Sequence, residues 1–400
     1  MREPTVAVPI GRRIAQWRTR RRMTQQVFAD RIGKSKSWVE KVERGVRKLD
    51  KISLIQHIAN VLRINAAELL GADSLPIPDS EVDGIEGIRI ALIRHNSLDA
   101  GIVDEEAPDF EEFRRQVSHA WLAYQHAEYP QLLRTLPKLL DLAQRPNTEH
   151  HVLGVDPVVQ VYRITASVLL KVDEPNLALL ATDRAATAAG GNPLLAAIAA
   201  ISLAQTLRAL GQYRLAMATS IAAAHRTTVA ASDEDSADRL SVYGTLLLQA
   251  ALAAARCGDT GSVGELVGQA HRVAVRVGDR EDHRQTNFSP IAVEIAEVVA
   301  TAGLGDVNDA IKLYEATVRR EGWQRLPVEY RASYLMEIAE AYLSVGNPIA
   351  AGQALVEADR IAPPEIRYRP SARAVIAEVS KLCPPTSGVT KLATEVGLTR

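Results

Sequence analysis

Met23-Thr24-Gln25-Gln26-Val27-Phe28-Ala29-Asp30-Arg31-Ile32-Gly33, followed after Lys34-Ser35-Lys36 by Ser37-Trp38-Val39-Glu40-Lys41-Val42-Glu43-Arg44-Gly45, decides how the N-terminal region folds. Thr24 is placed to cap a helix from about Gln25 to Ile32. Gly33 follows at once, where a tight turn needs a positive φ. Ser35 or Ser37 then caps a further helix to about Arg44, which Gly45 ends. Working outward, a helix is predicted from about Gly11 to Arg21, with Ile14, Ala15 and Trp17 on its apolar side. Another runs from about Ile52 to Leu62, where Ile52, Ile55, Ile58, Ala59 and Leu62 recur at helical spacing. Ala66-Ala67-Glu68-Leu69-Leu70 makes a short fifth.

Helix, short glycine-containing turn, helix is the geometry that lays a second helix in the major groove of DNA. The quoted segments resemble the phage-repressor (XRE) helix-turn-helix family over about residues 10–71, with Thr-Gln, Ala, Gly and Glu-x-Gly at the family's spacing. The resemblance implies a five-helix, lambda-repressor-like domain bound to a double-stranded operator. Gln25 resembles the family's phosphate-clamping glutamine. Ser35, Lys36, Ser37 and Lys41 lie at or beside the positions from which relatives read base edges, and a lysine there suits the guanine O6 and N7 acceptors. Arg44, Arg47 and Lys48 follow the recognition helix as phosphate contacts. Arg18 and Glu43 match a pair that ties the first helix to the third. Trp38 either packs toward the second helix or touches a thymine methyl. Arg20, Arg21 and Arg22 form a solvated face or reach the backbone.

Charge separates this region from the rest. The 400 residues carry 47 basic and 48 acidic side chains, a net −1. Residues 1–71 hold 16 basic and six acidic residues, a net +10; residues 72–400 hold 31 and 42, a net −11. A basic head and an acidic body point to a polyanion-binding module joined to one with another task. Two cysteines, Cys257 and Cys383, exclude a disulfide framework and fit a reducing cytoplasm. The opening Met-Arg-Glu-Pro leads into a Pro-interrupted polar stretch, so no secretory leader is expected. Ala185 to Leu207 lacks charge, but Gly190-Gly191-Asn192-Pro193 cuts it, which predicts buried helices and no membrane contact.

The chain is expected to be all-α throughout. Residues 72–109 read as an acidic, Pro-containing linker with a short helix from about Ile85 to His95, and residues 97–110 as loop. Residues 110–382 have helical period, and 383–400 read as a tail. Aligning helical pairs on their turns gives a repeat. Ala204, Leu207, Leu210-Gly211-Gln212-Tyr213 and Ala216 form one copy; Ala251, Ala254, Gly258-Asp259 and Ala270 another. Gly305-Asp306, Ala310 and Tyr314 form a third. Ile338-Ala339, Tyr342, Gly346-Asn347-Pro348, Ala351, Ala358 and Pro363 form a fourth. Weaker copies centre on His126-Ala127-Glu128-Tyr129 and Val172-Asp173-Glu174-Pro175. These resemble tetratricopeptide (TPR) repeats, with irregular turn spacing in place of the family's regular unit. Sixty alanines with only 4% aromatics suit closely packed helix pairs in a solenoid. A globular all-α ligand-binding domain is the alternative.

The TPR resemblance implies a groove lined by the first helix of each pair. Register from the turns places Arg114, Val117, Trp121, Tyr124, Gln160, Arg163, Ser167, Gln205 and Arg208 along its early part. Leu248, Leu252, Ile295, Val299, Met336 and Glu340 follow along its later part. A cationic, polar start and an apolar end suit an extended peptide gripped by its carboxylate. Thr286-Asn287-Phe288-Ser289-Pro290 resembles a Phe-Gly-Pro segment of actinobacterial regulators with this architecture. It is expected to start a helix first and contact ligand, through Asn287, second. No nucleotide-binding, hydrolase or metalloprotease motif is found, and no cofactor is expected. Glu149-His150-His151 lacks a third ligand at recognisable spacing. Cys257 reads as a small buried residue. The whole resembles peptide-responsive quorum-sensing regulators of Gram-positive bacteria: a cytoplasmic, homodimeric, non-enzymatic DNA-binding regulator responding to a peptide. A small-protein partner and a small hormone-like molecule are the other effectors considered.

Overall fold

A computed structural model describes residues 10–21, 23–47, 49, 54, 58, 61–62, 79–94, 110–144, 154–229, 236–279, 281–384 and 388–398. Every regular element among them is helical, and the fold is all-α. The chain divides into two compact units, Met1–Ile77 and Pro78–Arg400.

In the first unit α1 is Ile10–Arg20, α2 Gln25–Arg31 and α3 Lys36–Glu43. The Thr24 hydroxyl accepts from the Val27 N–H at 3.2 Å and caps α2. Ser35, rather than Ser37, caps α3 by accepting from the Trp38 N–H at 3.1 Å. Gly33 takes φ +64° between them. Ile14, Phe28, Ala29, Ile32, Val39 and Val42 close a core with Ile58 and Leu62. Leu54, Ile58, Val61 and Leu62 are helical, within the span expected of the fourth helix. The expected fifth helix, 66–70, lies outside the described residues. Gly11 is buried against α3: a β-carbon there would overlap the Val42 carbonyl oxygen and fall 3.3 Å from Glu43 Cα.

In the second unit α4 is Asp79–Arg94, longer than the expected linker helix. Ile88, Ala91 and Leu92 are buried, so this helix belongs to the unit's core. Six helical hairpins follow: α5 Phe110–Gln125 with α6 Tyr129–Ala143, α7 Val155–Lys171 with α8 Pro175–Ala188, and α9 Pro193–Ala209 with α10 Tyr213–Val229. Then come α11 Ala237–Arg256 with α12 Thr260–Val277, α13 Pro290–Leu304 with α14 Val307–Thr317, and, after the short α15 Glu321–Arg325, α16 Val328–Ser344 with α17 Pro348–Ile361. The short α18, Pro363–Arg367, leads to α19 Pro370–Leu382 and α20 Gly388–Glu395. Val389, Leu392, Ala393 and Val396 are buried in the same core, so the expected tail carries a packed helix.

The hairpin turns sit at the six positions where the repeat was aligned. Ala127, Asp173, Gly211, Gly258, Gly305 and Gly346 all take positive φ, from +59° to +99°. Each reverses the chain so that the next helix starts at once, with Pro in the first turn at Tyr129-Pro130, Pro175 and Pro348. Ala204, Ala216, Ala251, Ala254, Ala270, Ala310, Ala339, Ala351 and Ala358 have no exposed surface. Side chains this small let paired helices approach closely. Ala185–Leu207 breaks at Gly190 (φ +57°), and Asn192 caps α9 through the Leu194 and Leu195 amides. No helix among the described residues is long and apolar enough to cross a membrane.

The first helices of successive hairpins (α5, α7, α9, α11, α13, α16) stack side by side, and α16 returns to touch α5. One hydrophobic cluster accordingly holds residues of α4–α8 and of α13–α20. The solenoid closes into a single turn around an internal lumen.

Candidate functional site

On the first unit Lys36, Ser37 and Lys41 are exposed along α3, Ser37 and Lys41 one turn apart on the same face. Arg47 is exposed just beyond it, its guanidinium 6.0 Å from the Trp38 ring centre. Arg44 reaches Glu40 at 3.6 Å on an exposed surface. The Ser35 hydroxyl oxygen accepts the cap bond of α3. Trp38 is half-buried and packs on the core made by α1–α3, the first of its two expected roles. Glu43 is buried and joins three helices. Arg18 Nε donates to its Oε1 at 2.6 Å, and Gln25 Nε2 to its Oε2 at 2.7 Å. Arg18 also donates to the Met23 carbonyl at 2.7 Å. One N–H of the Gln25 amide thus holds the start of α2 to the end of α3. Lys48 and Arg22 lie outside the described residues.

The lumen of the second unit has a volume of about 810 Å³, within the range of small-ligand sites. All six first helices contribute to its wall. Of the residues that register pointed inward, Trp121, Tyr124, Arg163, Ser167, Gln205 and Arg208 line it, as does Asn287 of the Thr286–Pro290 segment. So do Leu248, Leu252, Ile295, Val299, Met336 and Glu340. Val117 is buried in the core, and two other candidates stand elsewhere. Arg114 is exposed on the first turns of α5 and pairs with Glu111 at 2.7 Å. Gln160 sits behind the wall, its Oε1 accepting from Trp121 Nε1 at 3.1 Å and from Arg163 Nη1 at 2.8 Å. Register fixes the face of a helix but not the depth along it, and both residues lie N-terminal to the lumen-lining part of their helices.

The strongest electrostatic feature was not legible in the sequence. Lys171, at the end of α7, ion-pairs with Glu329 of α16 and, at 2.7 Å, with Glu365 of α18. Arg369 donates to Glu365 at 3.0 Å and to Ser333 at 2.9 Å. Tyr124 donates to Glu329 at 3.2 Å, and Tyr129 donates to Glu365. This cluster joins the first two hairpins to the last and closes the ring. Burial and the neighbouring Glu365 raise the Glu329 carboxyl above its ordinary value. Burial opposes ionisation of Glu365 too, but Lys171 and Arg369 outweigh it and hold that carboxyl low. A lysine ending a helix whose residues are nearly all buried was the one available signal.

The polar wall that remains is uneven. Arg208 donates to Gln249 Oε1 at 2.8 Å; burial lowers its pKa and Glu337 counteracts. Burial and the adjacent Glu337 raise the Glu340 carboxyl. Tyr334, 3% exposed, lines the lumen with a hydroxyl that has no hydrogen-bond partner among the described residues. Among the described residues no group of three or more His, Cys, Asp or Glu could hold a metal ion, and Glu149-His150-His151 lie outside them. Cys257 is exposed at the C-cap of α11, contrary to the buried role expected for it, because the hairpin turn at Gly258 carries it outward.

A strap, residues 281–289, leads into α13. Arg284, Gln285 and Asn287 take φ +59°, +52° and +53°. Asp282 Oδ1 accepts from the Thr286 and Asn287 amides at 3.0 and 2.7 Å. Arg284 pairs with Asp156 at 2.9 Å, and His283 contacts Asp238 at 3.2 Å. Phe288 is buried over Gly244, where a β-carbon would strike its ring. Ser289 caps α13 through the Ala292 amide at 3.4 Å.

Residues 9–70 match the helix-turn-helix domain family. The N-terminal unit is accordingly a helix-turn-helix domain of the DNA-binding kind. No curated protein matches the chain significantly. Among solved structures, Bacillus thuringiensis PlcR in complex with the peptide PapR7 and DNA is similar at 14% identity. That match covers 78% of this chain and 99% of that one, with a TM-score of 0.28. The apo form of the competence regulator ComR from Streptococcus vestibularis is similar at 14% identity over 98% of each chain, with a TM-score of 0.18.

Proposed function

We propose that this protein is a transcriptional regulator whose second unit takes a small effector into its lumen and thereby alters DNA binding. The observation that carries this is the coexistence of a helix-turn-helix domain, with Lys36, Ser37 and Lys41 exposed on α3, and a ring of helices around an 810 Å³ lumen. The effector is a short peptide or another compact molecule, held by Arg163 and Arg208 at its charged end and by Leu252, Ile295 and Val299 along its apolar part. Lateral closure of the ring favours such a ligand; a folded protein would have to use the outer surface. The regulator acts as a cytoplasmic homodimer, so that two recognition helices meet half-sites about 34 Å apart. Effector binding shifts an equilibrium between states that differ in DNA affinity.

Two substitutions separate base reading from phosphate contact. Lys41→Ala is expected to cost about 1–3 kcal/mol at the cognate operator and to relax base preference at one position. Arg47→Ala should weaken binding to all sequences alike and lower the slope of log K against log salt by about one. Fluorescence anisotropy over a salt series, on cognate and scrambled duplexes, checks both. Equal loss on both duplexes for Lys41→Ala would remove α3 from base reading.

A further inference from the structure

Arg163 is 3% exposed on the lumen wall, yet it forms no ion pair among the described residues. Its guanidinium is served by neutral acceptors: Gln160 Oε1 at 2.8 Å, and the strap carbonyls of Arg284 at 3.2 Å and Gln285 at 3.5 Å. Its Nε has no hydrogen-bond partner among the described residues. Burial, with Arg284 nearby, pulls its pKa down to about 10 against the opposing pull of Asp282 and Asp156. The guanidinium lies over the Trp121 ring, 5.1 Å from its centre. Asp282 and Asp156 act on the guanidinium through space, but every hydrogen bond it makes goes to a neutral oxygen; such a buried cation is costly, and a carboxylate in the lumen answers it with charge-assisted, bidentate bonds. Leu248, Leu252, Ile295 and Val299 give the lumen an apolar part.

The same side chain holds the strap. Three non-glycine residues in the left-handed region persist only while their surroundings fix them, and two of the fixing bonds come from Arg163. We propose that a ligand with a carboxylate on an apolar body docks on Arg163, draws the guanidinium off the Arg284 and Gln285 carbonyls, and so frees the strap. This rests on the lumen being the effector site. The strap ends at Phe288 and Ser289, where α13 is seated on Gly244 and capped, so its release reaches the packing of α11 against α13.

The full-length protein is examined by hydrogen–deuterium exchange with two probe pairs: decanoate against 1-decanol, and N-acetyl-trileucine with its carboxylate free or amidated. A carboxylate probe is expected to protect α11 and α13 and to speed exchange of the Thr286 and Asn287 amides roughly tenfold, as two lost hydrogen bonds imply. The neutral partner of each pair should leave the strap unchanged. Activity of decanoate alone would identify a fatty acid type of ligand, and of the peptide acid alone a peptide carboxylate; both uphold the inference. Arg163→Gln should abolish the strap response and Arg163→Lys retain part of it. Protection of α11 and α13 without a strap response, or an equal response to acid and neutral forms, overturns the inference while leaving the lumen as a ligand site. No protection by any probe overturns both.

Discussion

Replacing Lys171 by methionine is expected to destabilise the second unit by about 3–5 kcal/mol, the range for removing one member of a buried ion pair. Lys171 stands between Glu329 and Glu365, both buried, and pairs with each. Methionine fills similar space but leaves two carboxylates facing one another where burial already disfavours charge. The penalty falls on ring closure, because the three residues belong to α7, α16 and α18. It should also depend on pH. In the parent, Glu365 is held low and contributes stability that is lost as pH falls through its folded value. Glu329 is raised by burial and works the other way. Without Lys171 both carboxyls rise, the folded state binds more protons than the unfolded chain, and stability increases as pH falls. Urea denaturation of both proteins at neutral and mildly acidic pH should show the gap narrowing on acidification. A loss under about 1 kcal/mol, or a gap that widens in acid, contradicts the assignment.

The second large effect is expected at Gly11→Ala. Alanine is normally the better helix former, so local propensity predicts a gain at a position inside α1. The packing predicts the reverse. Its β-carbon would overlap the Val42 carbonyl oxygen, a backbone atom that cannot rotate away. Moving α1 from α3 also strains the Arg18–Glu43–Gln25 network that sets the start of α2 against α3. A cost of about 1–3 kcal/mol is expected, large for a unit of 77 residues. DNA affinity should fall although no DNA contact is removed. Amide exchange of α1 and α3, beside anisotropy on DNA, checks this; unchanged exchange in both helices would show that the approach is looser than described.

The parts of the fold that were legible in the sequence are those set by short-range chemistry. Every hairpin turn was placed because a left-handed residue must follow a helix that reverses at once. Gly211, Gly258, Gly305 and Gly346 announce this openly; Ala127 and Asp173 do so weakly, and still adopt it. The nine alanines read as contact residues are fully buried for the same local reason. Lateral closure was not legible. Lys171 lies 158 positions from Glu329 and 194 from Glu365, and each alone reads as a solvated helical charge. Register found the lumen face at Trp121, Arg163 and Arg208, yet misjudged depth at Arg114 and Gln160. The strap reads in the sequence as a helix start and, second, a ligand contact; its conformation is not legible there, because Asp156 and Arg163 reach it from α7, more than 120 positions away.

The most direct test of an effector-responsive DNA-binding regulator is a genome-wide DNA-occupancy map made with and without culture extract, for the parent, Lys41→Ala and Arg208→Ala. Discrete two-fold symmetric sites are expected in the parent, depleted in Lys41→Ala. Their occupancy should change with extract in the parent and stay constant in Arg208→Ala. Occupancy that is unchanged by extract in the parent, or that responds equally when Arg208 is absent, would contradict the account.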